Sequence, residues 1–349
     1  MMPLTALDGT YRRTTLLHPF KTSSRRLSTL RTSLQALVIT GVLIGGGSAF
    51  AQDTVRFIVP FPAGGAADSM ARVLVDKLKD EMKQNVIVEN RAGASTRLAA
   101  EMLKQSPPDG KTVLMTVLDT TVIAPLVYQP LRYDPVKDFA PITMVTEVTY
   151  GIAVKADGPH KTLAQFLDAA RVKKDQAAVG ISGLGSTLHF LAFDFVRQSK
   201  APDMTVIPFQ GGPAMVNNLL GDQLPAAMDG LGVFVQHHKG GRVRVLAVSG
   251  EARAPQLPEV PTFKELGLPT LSFGSAYALY APAGTPPAKI DEWNRAMRKV
   301  LAMPDIKQRL QDIGYGPMEG TAPADVTARE VRMRAHWTPI VKATGFKGE

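Results

Sequence analysis

Short apolar, β-branched runs alternate with longer amphipathic segments from residue 52 to the end of the chain. The run at 55–61 predicts a strand. After it, the apolar residues Ala71, Leu74, Leu78 and Met82 recur at spacings of three and four, which predicts a helix. Further strands are predicted at 85–89 and 112–117. This alternation is typical of an α/β fold, in which helices cover mostly parallel sheets.

A second series of alternating elements begins near residue 152. It predicts strands at 178–182, 205–209, 225–229 and 243–248, with helices at 163–171, 187–196, 214–220 and 233–238. A Pro-rich stretch then leads to a strand at 277–281 and to helices at 289–301 and 324–341, while 344–349 are expected to fray. Because the late helices lack a full sheet of their own, we predict one lobe from 52–152 plus 275–349 and a second from 153–274, joined by two hinge crossings.

The first 51 residues have the pattern of an export signal. Six basic residues precede an apolar stretch, and Ala49, Phe50 and Ala51 fit the small-x-small cleavage rule, so cleavage after Ala51 is predicted. Thr40 and the glycines at 45–47 interrupt the stretch before the roughly 20 apolar residues that a membrane span needs. Arg25 and Arg26 leave a twin-arginine signal open as an alternative to the general route. Either route predicts a periplasmic protein.

Removing this leader changes the charge argument. The whole chain carries +9, but residues 52–349 hold 34 Lys and Arg against 30 Asp and Glu, a net charge of +4. This scattered excess does not support a nucleic-acid partner. The chain has no cysteine, which excludes disulfides and thiol catalysis. Dinucleotide, P-loop and zinc-protease motifs are absent as well, so we expect no cofactor, no metal and no catalytic residue.

Three strand-to-helix turns carry glycine, at 59–65, 181–187 and 208–213. Glycine lets the backbone approach a ligand closely, and the following helix presents free N–H groups that bind anions. Glycine at such junctions is also ordinary α/β construction. Since the carboxyl ends of strands from both lobes face one cleft, we predict that the three turns converge there on an acidic ligand. The residues predicted to bind this ligand are Phe61, Pro62, Ala63, Gly64, Gly65, Ser182, Gly183, Gly185, Ser186, Thr187, Gln210 and Gly211.

Two acidic residues near these turns are further candidates. Asp68 lies in the first turn of its helix, where the helix dipole stabilises an acid, so a structural role competes with ligand binding. Asp119 follows the third strand and is harder to explain as a cap. We hypothesise that Asp119 selects a ligand that carries an amino group.

Several motifs together resemble the Bug (TctC-like) extracytoplasmic receptors of tripartite tricarboxylate transporters. The motifs span the mature chain in order and begin with Pro60-Phe61-Pro62-Ala63-Gly64-Gly65, Val88-Glu89-Asn90-Arg91 and Pro108-Asp109-Gly110-Lys111, followed by Tyr133-Asp134-Pro135 and Ala281-Pro282-Ala283-Gly284-Thr285-Pro286. The resemblance implies a type II periplasmic-binding-protein fold, also called a Venus flytrap, which closes on a small organic carboxylate. It also implies membrane permease subunits as partners, and we expect a monomer.

The resemblance adds two site residues, His189 on the helix after the second turn and Asp229 after a later strand. His189 could equally be a packing residue. The chain departs from the family pattern at Ser95-Thr96, where the family has Gly-Gly, and at Phe209-Gln210, where it has Tyr-Lys. The carboxylate is therefore not identified. Two alternatives stay open: a receptor that feeds a membrane sensor, and a hydrolase built on Ser186, His189 and Asp229.

Overall fold

Two β-sheets with flanking helices organise the protein, for which the computed structural model describes residues 54–318 and 321–348. The predicted leader and its cleavage site lie outside the described residues. Within the described part of the chain, no helix combines the length and apolarity that crossing a bilayer requires.

The first sheet contains six strands: β1 (Thr54–Val59), β2 (Asn85–Asn90), β3 (Thr112–Val117), β4 (Phe139–Val148), β10 (Ser275–Pro282) and β11 (Gly316–Pro317). Their order across the sheet is β11-β4-β10-β3-β1-β2. Strands β1 to β4 run in one direction, and β10 and β11 run against them. The helices of this part are α1 (Ala66–Met82), α2 (Arg97–Lys104), α3 (Ala124–Val127), α4 (Pro135–Asp138), α9 (Pro287–Ala302), α10 (Pro304–Asp312) and α11 (Pro323–Thr344).

The second sheet contains five strands: β5 (Tyr150–Lys155), β6 (Ala178–Ile181), β7 (Thr205–Pro208), β8 (Ala227–Gly230) and β9 (Val243–Val248). Their order across the sheet is β7-β6-β8-β5-β9. Four of them share one direction, and β5 runs against them. The helices between them are α5 (Leu163–Val172), α6 (Thr187–Ser199), α7 (Gly212–Leu220) and α8 (Gly232–Lys239).

The helix periodicity read from the sequence matches the buried faces. Ala71, Leu74 and Leu78 of α1 are buried, as predicted, and belong to the same apolar cluster as Phe57 of β1. Trp293 of α9 packs beside Phe57 and donates its indole N–H to the Gly110 carbonyl at 2.9 Å. This contact holds a long C-terminal helix against the first strands of the chain.

The chain passes between the sheets at two places among the described strands. Thr149 alone separates β4 from β5, and residues 249–274 join β9 to β10. The predicted lobe boundary at 152 therefore falls inside β5. Helix α11 makes a third link, because it packs on β4 and also on α6.

Several features differ from the sequence predictions, among them β5 and α2, which were not predicted. No strand was predicted at 139–148, where β4 forms the longest strand described; its core residues are buried without a simple in-and-out alternation, which removes the usual signal. The prediction that 344–349 fray is wrong for the residues that the structure describes. Gly348 pairs with Tyr128, and Phe346 packs against the rings of His189 and Phe190.

Gly180 in β6 tests the packing of the second sheet. A Cβ atom there would overlap Leu224 and lie 2.9 Å from the Phe209 ring, so we expect Gly180→Ala to cost about 1–3 kcal/mol of unfolding free energy. Chemical denaturation measures the loss. Gly316→Ala is the matched control, because no atom lies within 4 Å of its added methyl group. Equal stability of the two variants would contradict the packing described here.

Candidate functional site

A cavity of about 540 Å³ opens between the two sheets, at the carboxyl ends of β1, β3, β6 and β8. This is where ligands bind in open α/β folds. Both sheets and the crossing at Thr149 contribute to its wall. The lining consists of Phe61, Ala66, Ser95, Thr96, Val117, Asp119, Ala124, Tyr128, Val148, Thr149, Tyr150, residues 182–186, Leu188, residues 229–233, Tyr277 and residues 313–315.

The second glycine turn forms one side of this cavity. Ser182, Gly183, Gly185 and Ser186, which follow β6, all line it. Gly185 has a φ of +70°, a conformation that favours glycine. The Ser186 side chain caps α6 by accepting the His189 N–H, at 3.4 Å. The turn therefore places hydroxyl groups and backbone at the cavity wall.

Asp119 joins the two halves of the structure. Its carboxylate accepts the Thr187 N–H at 2.7 Å and the Thr187 hydroxyl at 2.8 Å, both at the start of α6. The Ser275 hydroxyl of β10 donates to the same group at 2.7 Å. Asp119 therefore occupies the N-terminal end of α6, where the helix dipole favours negative charge. Thr187 is thus engaged by a carboxylate of the protein itself.

Asp229 lines the cavity from the end of β8 and is only 7% exposed. Its Oδ1 accepts the Gly230 N–H at 2.7 Å, and the Ser182 hydroxyl lies beside the carboxyl group. Its Oδ2 has no hydrogen-bond partner among the described residues. Burial raises the pKa of Asp229 to about 6, and the two hydrogen bonds offset only part of this effect. Asp229 is therefore a buried acid with unused hydrogen-bonding capacity.

Aromatic side chains cover another part of the wall. Phe61 meets Tyr277 edge to face at a centroid distance of 6.1 Å, and Tyr277 meets Tyr315 in the same way at 5.5 Å. Tyr150 lies close to both acids: its pKa is raised well above the usual value first by burial and then by the charges of Asp119 and Asp229. With Tyr128, which also lines it, the cavity combines two carboxyl groups with five aromatic rings.

Ser95 and Thr96 line the cavity on a strained backbone. Ala94, Ser95 and Thr96 have φ values of +47°, +50° and +74°. Such conformations cost about 1–2 kcal/mol per residue for side chains other than glycine, and the cost is larger for a β-branched residue such as threonine. Thr96 shares a hydrogen bond with the Thr120 hydroxyl at 2.7 Å. This strained segment places two side-chain hydroxyl groups at the cavity wall.

The first glycine turn contributes less than predicted. Phe61 lines the cavity, whereas Pro62, Ala63, Gly64 and Gly65 are exposed and lie outside its lining. Asp68 is buried behind this turn, where it accepts hydrogen bonds from Arg72 at 2.9 Å, from the Gly64 N–H at 2.8 Å and from Asn90 at 3.0 Å. The Arg72 bond is the main reason that the pKa of Asp68 falls to about 2. Asp68 holds the turn and does not line the cavity.

The third turn does not reach the cavity. Gln210 is exposed, and neither Gln210 nor Gly211 belongs to the lining. The next residue, Gly212, lies against Asp229, since a Cβ atom on Gly212 would be 3.3 Å from Oδ2. The turn therefore supports Asp229 from behind.

His189 also lies behind the wall. Its Nδ1 accepts the Gly185 N–H at 3.3 Å, its ring packs on Phe346, and burial lowers its pKa. Ser186 contacts the His189 backbone, whereas the side chains of His189 and Asp229 bond to other groups among the described residues. The geometry of a Ser-His-Asp hydrolase is therefore not formed.

Sequence reasoning missed several lining residues. Tyr150, Tyr277 and Tyr315 come from three separate segments, and no local motif marks them. Thr149 forms the crossing between β4 and β5, and Tyr150 is the first residue of β5; no element was predicted in this region. The departure from Gly-Gly at Ser95 and Thr96 was the only usable signal, and it pointed to an unusual cavity wall.

The raised pKa of Asp229 predicts an effect on stability. Its pKa is higher in the folded than in the unfolded chain, where it is near 3.8, so charging this group costs folding free energy that grows as pH rises from about 4 to 6. We expect Asp229→Asn to stabilise the unliganded protein at pH 7.5 by about 1–3 kcal/mol, and by less at pH 5. Thermal melting measures both. The exposed Asp203→Asn is the control, and a lower melting temperature of Asp229→Asn at pH 7.5 would contradict the expectation.

The chain is similar to known proteins of one receptor family. The family described as "Tripartite tricarboxylate transporter family receptor" matches residues 70–346. BugT of Bordetella pertussis (strain Tohama I) is 31% identical over 299 residues, which cover 84% of this chain and 90% of BugT.

Solved structures are similar over nearly their whole length. Rpa4515 of R. palustris, determined with adipate, has a TM-score of 0.74 and 28% identity, and the match covers 84% of this chain and 98% of that one. MatC (Rpa3494) from Rhodopseudomonas palustris, with bound malate, has a TM-score of 0.70 and 29% identity, with coverage of 82% and 98%.

These similarities confirm the two-lobed periplasmic-binding-protein fold and the family resemblance read from the sequence. The periplasmic binding protein BugD is also similar, with a TM-score of 0.72 and 26% identity. The matching family and these structures are solute receptors and not enzymes, which confirms the prediction of a periplasmic solute receptor. This chain belongs to the family of tripartite tricarboxylate transporter receptors.

Proposed function

We propose that the cavity between the two sheets captures one small organic acid and that the protein presents it to the permease subunits of a tripartite tricarboxylate transporter. The observation that carries this proposal is the cavity itself, which both sheets line at the carboxyl ends of their strands. Its volume of about 540 Å³ is typical of small-molecule sites. The similar proteins from R. palustris hold adipate and malate.

The acid group would be held by hydroxyl and backbone N–H donors. No Lys, Arg or His belongs to the described lining, whereas Ser95, Thr96, Thr149, Ser182 and Ser186 all do. A hydrogen bond to a charged group contributes about 1.5–3 kcal/mol. Four or five such bonds can offset an association cost of about 4–15 kcal/mol and leave micromolar affinity. An arginine is therefore not required.

The remaining assignments follow from this role. We infer that residues 1–51 direct export and are removed after Ala51, and that the mature protein acts as a monomer. We also infer that the two lobes, one built on each sheet, close on the ligand by bending at the crossings near Thr149 and Ser275. The wall residues named above contact the ligand directly, and Asp68, His189, Gln210 and Gly211 support them from outside the cavity.

A melting screen of residues 52–349 against organic acids tests the proposal. At one hundred times its dissociation constant, a ligand stabilises the protein by about 2.7 kcal/mol, so we expect at least one acid to raise the melting temperature by about 2 °C or more. The panel includes succinate, malate, adipate, citrate and benzoate. A protein that folds but responds to no acid would contradict the proposal.

A variant that fills the cavity shows whether the shift arises there. Gly183 lines the cavity, and no atom lies within 4 Å of a Cβ atom added to it, so the side chain of Gly183→Leu can start into open space. We expect this variant to fold and to lose the ligand-induced shift. Gly316→Leu, at a position with equally open surroundings outside the lining, should keep it.

A further inference from the structure

Two glycines bring the lobes into backbone contact at the cavity wall. Gly232 is the first residue of α8, beside the second sheet, and Gly314 lies in the loop between α10 and β11 of the first sheet. A Cβ atom on Gly232 would lie 3.3 Å from the Gly314 Cα and 3.2 Å from the Ile313 carbonyl oxygen. A Cβ atom on Gly314 would overlap the Gly232 Cα, at 2.3 Å. Both glycines line the cavity.

The local backbone explains the glycine at 314 but not the glycine at 232. Gly314 has a φ of +89° and ends α10, where its N–H donates to the Gln311 carbonyl at 3.0 Å. Glycine is the usual residue at such a helix end. Gly232 lies outside the positive-φ region, so alanine could adopt its backbone conformation. Apart from its own helix and chain neighbours, the three atoms nearest to a Cβ at 232 all belong to Ile313 and Gly314. The glycine at 232 therefore serves the contact with the other lobe.

This contact lies beside the first crossing between the sheets. Leu231, which precedes Gly232, donates its N–H to the Thr149 carbonyl at 2.8 Å, and Thr149 alone joins β4 to β5. On the other side, Gly316 pairs with Glu147, close to the same crossing. The glycines thus meet near the point at which we infer that the lobes bend. Because the lobes rotate about this point, a small separation here becomes a larger one at the distant rim of the cavity.

The surroundings of Gly232 leave too little room for one methyl group. Carbon atoms pack best at about 3.5–4.0 Å, so a Cβ atom 3.3 Å from the Gly314 Cα would be too close by a few tenths of an ångström. The opposing atoms belong to the backbone of a loop that is bonded to the end of α10, so they cannot rotate away as a flexible side chain would. The contact is relieved when the two lobes move apart.

We propose that Gly232 and Gly314 form the pivot on which the two lobes close, and that the missing side chain at 232 sets how far the cavity can narrow around an acid. This proposal rests on the proposed function, because it assumes that the lobes close on an organic acid. Gly232 is a positioning residue, since it acts through the separation of the lobes. A glycine that served the fold alone would affect stability but not this separation.

Spin labels on the two lobes measure their separation. The chain has no cysteine, so two introduced cysteines provide the only labelling sites. Ala63, in the turn after β1, and Ile207, near the end of β7, are exposed, lie in different lobes and do not line the cavity. Both are near the carboxyl end of a strand, where the cavity opens. Pulsed electron paramagnetic resonance of residues 52–349 measures the label distance alone and with succinate, malate, adipate, citrate or benzoate, and isothermal titration measures the affinity for each acid.

We expect Gly232→Ala to shift the label distance to longer values, with and without an acid, and Gly232→Val to shift it further. An acid that binds the wild type should bind Gly232→Ala about tenfold more weakly, the loss expected when one hydrogen bond to its charged group is broken. The melting temperature without an acid should stay close to that of the wild type, because α8 accepts alanine. Gly316→Ala, whose added methyl group has no atom within 4 Å, should keep both the distance and the affinity.

The outcomes separate this inference from the function on which it rests. If Gly232→Ala keeps the wild-type distance, or binds an acid as tightly as the wild type does, the pivot proposal is overturned and the receptor function stands. If no acid binds the wild type, the receptor function is overturned, and the label distance alone decides the pivot. Failure of Gly232→Ala to fold would mean that the lobes cannot separate to relieve the contact, which would also overturn the proposal.

Discussion

The hydrogen bonds between Asp119 and Thr187 determine how the rest of the site is built. They connect the end of β3 in one sheet to the start of α6, which follows β6 of the other sheet. Because the carboxylate takes the N–H group at the first residue of this helix, it uses the position that an acidic ligand would otherwise prefer. The anion-binding end of α6 is therefore occupied within the protein, and recognition of a ligand falls to the hydroxyl groups, the aromatic rings and Asp229.

The cavity carries costs that a purely structural region would avoid. Three successive residues, Ala94 to Thr96, hold backbone conformations that glycine would adopt more easily. Asp229 is buried with one oxygen unpaired, and the pKa of about 6 reports the free energy needed to charge it there. Unfavourable features of this kind concentrate at binding sites, where a ligand can supply the missing interaction. Ser95, Thr96 and Asp229 line the same cavity from the two sheets, which supports a binding role for that cavity.

Much of the fold could be predicted from the sequence, because hydrophobic periodicity reports burial directly. Strands β3 and β9 and the start of helix α6 lie where the pattern placed them. Strand β4 was missed because its core residues do not alternate, and the C-terminal residues through Gly348 were missed because their contacts with Tyr128 and His189 are distant in sequence.

The site was predictable only in part. Glycine and polar residues at the second turn gave a local signal, and Ser182 to Ser186 do line the cavity. The third turn has the same local pattern, yet it lies behind Asp229, since a pattern of a few residues does not fix which way a turn faces. The tyrosines of the wall come from the end of α3, from β5, from β10 and from the loop after α10, so only the folded chain brings them together.

Hydrogen exchange of the mature protein, with and without the tightest-binding acid, tests most directly whether a ligand binds between the two sheets. The account predicts slower exchange both in residues 182–186, after β6, and in the segments around Thr149 and residues 313–315, with no change in α5 on the outside of the second sheet. Slower exchange confined to one sheet, or found only away from the cavity lining, would contradict it.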